Sequence, residues 1–247
     1  MPAPLDCLGI GAHPDDMEIL AGGLLALLVS QSRRTGILDL TRGERGSLGT
    51  PTDRRREWEA ASRVLGLSVR KNLGLPDGAL QDDLPSRRKL AQALRDLRPA
   101  LVVTMPRMED DDHHPDHRAA AGLVFNACWM AGMTRAQGLK GRPFRPKAVL
   151  HAVGPYRGVE PSLIVDISAH WKTQVQAMRC YASQFSSNAR PGALTHINRP
   201  GFLETLEARA RILGFRIGAS HGEAYRLQGP LIAQDPWTLL SGGAAAR

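Results

Sequence analysis

Aromatic residues are few in this 247-residue chain, cysteines fewer still, and long apolar runs are missing. Phe, Trp and Tyr make up 5% of the residues, too few to suggest the stacked platforms on which single-stranded nucleic acids are held. The three cysteines, Cys7, Cys128 and Cys180, stand far apart. They lack the paired spacing of a zinc–cysteine site, and an odd, dispersed set suits a reducing compartment with buried thiols. No stretch approaches the ~20 apolar residues of a membrane-spanning helix. Asp6 interrupts the short apolar N-terminal stretch before it resembles a secretory leader, so a cytoplasmic protein with no membrane partner is expected. A complete G-x-G-x-x-G turn is also lacking. Gly9-Ile10-Gly11 begins one, but Pro14 takes the place of the third glycine and acids that would repel a pyrophosphate follow.

The formal net charge of +8 raises the question of nucleic acid. The arginines are scattered, however, as in Arg33-Arg34, Arg54 to Arg56 and Arg87-Arg88, and no helix-turn-helix, RNA-recognition or zinc-finger pattern occurs. A basic pocket for an anionic small molecule explains the charge equally well. No nucleic-acid partner is expected.

Apolar runs of strand length alternate with amphipathic stretches along most of the chain. Strands are predicted at Leu5 to Ala12, Gly36 to Thr41, Ser68 to Leu73, Ala100 to Met105, Ala148 to Val153 and Leu163 to Ile167. Helices are predicted at Met17 to Gln31, Asp53 to Leu65, Pro85 to Leu97, Asp116 to Ala131, Ser168 to Ser183 and Gly201 to Ile217. This alternation implies an α/β, Rossmann-like, mostly parallel sheet with helices on both faces. One domain over residues 1–240 is expected, followed by a disordered tail at 241–247.

Two clusters carry the chemistry: His13-Pro14-Asp15-Asp16 and His114-Pro115-Asp116-His117. The first follows the first strand directly, and the second follows the fourth strand after a loop. With strand order 3-2-1-4-5, those two strands are neighbours and flank the crevice where ligands bind in such sheets. Pro-Asp at a helix start is ordinary capping chemistry. Its double occurrence, each time with histidine and each time after a strand, points instead to a site. Imidazole and carboxylate are the usual non-thiol ligands of zinc, and a catalytic zinc takes three while leaving a position open. His13, Asp16 and His117 are the expected ligands of one Zn2+ per chain, although the same set accepts other divalent metals. Asp15 is placed to take a proton from an activated water. His114 is placed to stabilise an oxyanion or to protonate a leaving amine.

Ala12-His13-Pro14-Asp15-Asp16-Met17-Glu18, then Gly22-Gly23, then His114-Pro115-Asp116-His117 resembles the LmbE-like (PIG-L) superfamily of zinc-dependent N-acetylglucosaminyl deacetylases. Further segments resemble its bacillithiol-biosynthesis branch: Thr41-Arg42-Gly43-Glu44, Arg54-Arg55-Arg56-Glu57, Leu75-Pro76-Asp77-Gly78, Tyr181-Ala182-Ser183-Gln184-Phe185 and Gly222-Glu223-Ala224. The resemblance runs from about Leu5 to Leu231. It implies the same ligand set and general base, with Arg54 or its neighbour Arg55 on the substrate. Substrate contacts are expected from Arg54, Asp77, Glu223, Arg42 and Arg107, with Arg45 as a further cation. The branch commonly carries Arg just before the second motif, where this chain has His113 after the acidic run Glu109 to Asp112. The activity implied is hydrolysis of the N-acetyl group of an N-acetylglucosamine conjugate, first of all the malate glycoside. Mycothiol-type conjugates, antibiotic intermediates and chitobiose are the alternatives. A homo-oligomer is the expected assembly.

Overall fold

The computed structural model describes residues 3–107, 114–154, 159–185 and 195–230. Seven strands form one sheet: β1 (Cys7–Gly11), β2 (Thr35–Thr41), β3 (Val69–Leu75), β4 (Leu101–Thr104), β5 (Ala148–Ala152), β6 (Leu163–Asp166) and β7 (Gly222–Leu227). The helices are α1 (Asp16–Ser30), α2 (Pro51–Leu65), α3 (Leu84–Leu97), α4 (Pro115–Ala131), α5 (Trp171–Arg179), α6 (Ala182–Phe185) and α7 (Phe202–Arg216). The order across the sheet is β3-β2-β1-β4-β5-β7-β6. Strands β3 to β5 in that row run parallel, whereas β7 is antiparallel to both β5 and β6. Among the described residues no helix is long and apolar enough to cross a membrane.

The expected order 3-2-1-4-5 is present, and β1 and β4 pair in register from Cys7↔Leu101 to Ile10↔Thr104. Both strands are covered on their two faces, so β1 is buried throughout and reads as a continuous apolar run. Their carboxyl ends deliver the starts of α1 and α4 to the same edge of the sheet. Helix α2 is capped by Thr50, whose hydroxyl accepts from Asp53 N at 3.2 Å while the Asp53 carboxylate accepts from Thr50 N at 3.0 Å. Pro51 then supplies the first helical position.

Two elements depart from expectation. Strand β7 has no counterpart among the predicted elements, because Gly-Glu-Ala-Tyr-Arg-Leu opens with a glycine and a carboxylate. That carboxylate is buried and fully engaged: Glu223 accepts from Gly23 N at 2.9 Å, Leu24 N at 2.7 Å and the Tyr225 hydroxyl at 2.7 Å. The helix expected over Ser168 to Ser183 divides into α5 and α6. At the division Tyr181 is fully buried, and Glu57 takes the Ser183 N–H at 2.6 Å and its hydroxyl at 2.8 Å, restarting the chain as a new turn. Cys7 and Cys128 are buried thiols, with burial pushing each up to about 12, but Cys180 is only half-buried.

Candidate metal centre and catalytic cavity

His13 leaves the end of β1, and Asp15 and Asp16 form the first step into α1. Asp15 holds a positive φ of 109°, a conformation that most L-residues avoid and that Asp and Asn tolerate better than most. This turn brings Asp16 back under His13, whose backbone N–H donates to Asp16 Oδ2 at 2.7 Å. Across the crevice His114 caps α4, its Nδ1 accepting from Asp116 N at 3.2 Å, and His117 follows within the first turn.

The three expected ligands converge. Asp16 lies between two imidazoles, with Oδ2 at 3.6 Å from His13 Nδ1 and Oδ1 at 3.3 Å from His117 Nε2. Ring nitrogens of His13, His114 and His117 also come within 4.8 Å of one another. A carboxylate and two imidazoles around one point form a donor set suited to a divalent ion such as zinc, so these residues fit the metal the sequence implies. Without an ion, burial works against charge on both partners. The pairing outweighs it: His13 is held well above the usual imidazole value by Asp116, Asp16 and Asp77, and Asp16 well below the carboxylate range by His117 and His13.

Asp15 adjoins this point without joining the ligand set. Burial pushes its carboxyl up to about 7, partly offset by Arg54. The Arg54 guanidinium is itself buried and donates to Asp15 Oδ2 at 3.3 Å and to the Pro14 carbonyl at 2.8 Å. Arg54, rather than exposed Arg55, therefore faces the site; Arg55 pairs with Glu59 at 3.0 Å. Burial, then His117 and His13, holds His114 below the usual imidazole value. With Nδ1 accepting a backbone N–H, neutral His114 carries its proton on Nε2, the form that donates to a developing oxyanion.

These groups line a cavity of about 790 Å3. Its polar side comes from the loop after β2 (Gly43, Arg45, Gly46, Ser47), from Asp77 and Gly78 after β3, and from the two metal motifs; Ile19, Leu20, Ile197 and Phe202 form a more apolar wall. Gly43 has φ +63°, and a Cβ there would meet Arg54 Nη2 at 2.8 Å, so glycine lets the loop close over the guanidinium.

Of the expected substrate contacts, Arg54 and Asp77 line the cavity, as does Arg45. Arg42, Arg107 and Glu223 are not among its lining residues. Arg42 is exposed, its N–H donating to Glu44 at 3.2 Å. Glu223 stands behind α1, its oxygens accepting from Gly23 N, Leu24 N and the Tyr225 hydroxyl. Asp77 is directed at His13: Oδ1 lies 3.2 Å from Nε2. His113 and the run Glu109 to Asp112 lie outside the described residues, as does the tail at 241–247.

A buried ion cluster beneath α1 escaped the sequence reading. Arg70 donates to both oxygens of Asp39 at 3.0 Å, to the Tyr181 hydroxyl at 3.0 Å and, by a short bond, to Glu18. Tyr181 in turn donates to Glu18 at 2.9 Å. Glu18 of the first motif was the available signal, but nothing in the weak strand around Arg70 marked its partner.

Residues 8–128 match the family described as PIG-L, GlcNAc-PI de-N-acetylase. A solved structure, the conserved protein TT1542 from Thermus thermophilus, is 41% identical with a TM-score of 0.83, the match covering 94% of this chain and 98% of that one. The chain belongs to the PIG-L family. Family relatives include the diacetylchitobiose deacetylase of Thermococcus kodakarensis, 29% identical over 188 residues, 72% of this chain and 69% of the relative. The 4-oxalmesaconate hydratase of Pseudomonas putida is 28% identical over 194 residues, 72% of this chain and 73% of the relative. The enzyme class that family membership supports is a deacetylase of N-acetylglucosamine-type conjugates.

Proposed function

We propose that this protein is a divalent-metal-dependent amidohydrolase that removes the acetyl group from an N-acetylglucosamine conjugate, with malate as the aglycone. The observation that carries the reading is Asp16 set between His13 Nδ1 and His117 Nε2 with Asp15 beside it, at the floor of a cavity large enough for a glycoside. His13, Asp16 and His117 would hold the ion, zinc being the metal expected. Once bound, it would polarise the acetyl carbonyl and acidify a water.

The chain's own residues divide the remaining work. Asp15 accepts a proton from the water as its oxygen bonds to the acetyl carbon. Arg54 holds Asp15 in place and favours its ionised form against the effect of burial. His114 Nε2–H donates to the carbonyl oxygen as negative charge gathers there. The C–N bond then breaks, the sugar amine takes the proton from Asp15, and acetate departs.

The malate aglycone is supported by the Thr41-Arg42-Gly43-Glu44, Leu75-Pro76-Asp77-Gly78 and Tyr181 to Phe185 segments and by Arg45 at the cavity. Arg42 and Arg107 lend it no support from the lining. A second reading follows from the hydratase relative: the same base and ion could add water across a conjugated double bond of an unsaturated acid. Acetate release from N-acetylglucosaminyl malate by the zinc-loaded protein tests the first reading. Loss of ultraviolet absorbance from a conjugated dicarboxylate, without acetate release from any amide, would favour the second.

A further inference from the structure

Asp77 follows β3, two strands beyond the pair that bears the metal motifs, and no requirement of the deacetylation chemistry calls for a carboxylate there. It is nevertheless 6% exposed, and both of its oxygens are engaged. Oδ1 lies 3.2 Å from His13 Nε2, and Oδ2 accepts the Arg45 N–H at 2.6 Å. Its own N–H donates to Glu44 at 3.2 Å. The next residue continues the pattern: Gly78 N donates to Asp116 Oδ2 at 2.7 Å, and Leu80 N to Asp116 Oδ1 at 3.2 Å. Asp116 also reaches His13 Nε2, at 3.2 Å. Two carboxylates therefore converge on the one ring nitrogen of His13 that turns away from Asp16.

An imidazole nitrogen facing two buried carboxylates carries a proton, which commits the other nitrogen, Nδ1, to the metal and fixes the plane of the ring. Carboxylates behind metal-bound histidines perform this task in general. Asp77 has a second attachment that Asp116 lacks, because its other oxygen anchors the loop supplying Arg45, Gly46 and Ser47 to the cavity. From this geometry we infer that Asp77 is a positioning residue that joins the ligand His13 to the substrate-facing loop, so that the metal and substrate sites are set by one side chain. The inference rests on the metal-dependent reading above. It excludes a second ion held by His13, Asp77 and Asp116.

The test uses Asp77→Asn, which preserves size, beside Asp116→Asn and the wild type. Zinc affinity is measured by competition with a chromophoric chelator, cobalt is substituted to record its ligand-field bands, and stoichiometry is read by elemental analysis. The expected result is one metal per wild-type chain, zinc affinity lowered about 10- to 100-fold in Asp77→Asn, shifted cobalt bands, and a raised KM that persists when metal is saturating. Unchanged affinity and cobalt bands with a raised KM would overturn the inference in favour of substrate contact. Two metals per chain, falling to one in Asp77→Asn, would overturn it in favour of a second ion. Should the variant not fold, or should the wild type bind no metal, nitrogen-15 spectra of histidine-labelled wild type still decide. A protonated Nε2 on His13 with a strongly downfield proton supports the arrangement, and an unprotonated Nε2 refutes it. In the case of no metal binding, the deacetylase mechanism fails separately from the Asp77 contact.

Discussion

Adjacent aspartates with different duties are the sharpest consequence of the site's geometry. Asp16 touches two imidazoles at 3.6 and 3.3 Å, whereas the Asp15 carboxylate pairs with Arg54, at 3.3 Å. Asp15→Asn is conformationally mild, since Asn is among the few non-glycine residues that accept the φ of 109° found there. It should leave metal content unchanged and lower kcat by about 10²- to 10⁴-fold, the usual worth of a general base. At 1.36 kcal/mol per factor of ten this is ~2.7–5.4 kcal/mol of barrier. Asp16→Asn removes a ligand's charge, so its metal affinity should fall by more than about a hundredfold, beyond the range for a residue that merely supports a ligand. Zinc content after gel filtration and acetate release with excess zinc separate the two effects. Excess zinc should restore much of the activity of Asp16→Asn and none of that of Asp15→Asn. Equal metal loss in both variants, or rescue of Asp15→Asn by zinc, would refute the division.

Three further outcomes are expected. His114→Ala should keep its metal and lose about 10²- to 10³-fold in kcat, the cost of one oxyanion donor, checked by steady-state kinetics beside metal analysis. The malate conjugate should be preferred over free N-acetylglucosamine by about tenfold to a thousandfold in kcat/KM, equivalent to ~1.4–4 kcal/mol; raising salt and Arg45→Met should each shrink that ratio, and a ratio near one would sink the malate assignment. Burial pushes Glu223 up to about 7 from an ordinary 4.5, against the opposing pull of Tyr225, Gly23 and Leu24. The folded state therefore binds this proton more tightly than the unfolded chain, and stability present below about pH 4.5 is lost as pH rises through 7, by at most about 3 kcal/mol. The melting temperature of Glu223→Gln relative to wild type should accordingly climb between pH 4.5 and 7 and level off above.

Much of this architecture was legible because one physical rule governed it. Strands β1, β2, β4 and β5 are short apolar runs buried on both faces, and their order brought two distant His-Pro-Asp motifs together without any knowledge of side-chain positions. Residues whose meaning depends on tertiary partners were harder to read. Glu223 looks like a site carboxylate in sequence, yet it satisfies backbone donors of α1, and β7 was hidden by it. Asp77 stands in a motif read as substrate-facing, but its oxygens meet His13 and the Arg45 backbone. Arg42 and Arg107 are loop cations outside the cavity lining, and sequence alone does not give the direction of a loop side chain. Arg70 drew no notice because a lone arginine in a weak strand gives no hint of Glu18, 52 residues away, or of Asp39 on the neighbouring strand β2.

The central claim is that His13, Asp16 and His117 hold one catalytic ion for hydrolysis of an N-acetyl amide. The most direct measurement strips the protein with a chelator, adds back zinc in substoichiometric steps, and follows acetate released from N-acetylglucosaminyl malate. Activity should be absent after stripping, rise linearly and saturate at one zinc per chain, with His117→Ala failing to recover at that ratio. Acetate release that survives complete removal of metal, or a fully active His117→Ala at one equivalent, would contradict it.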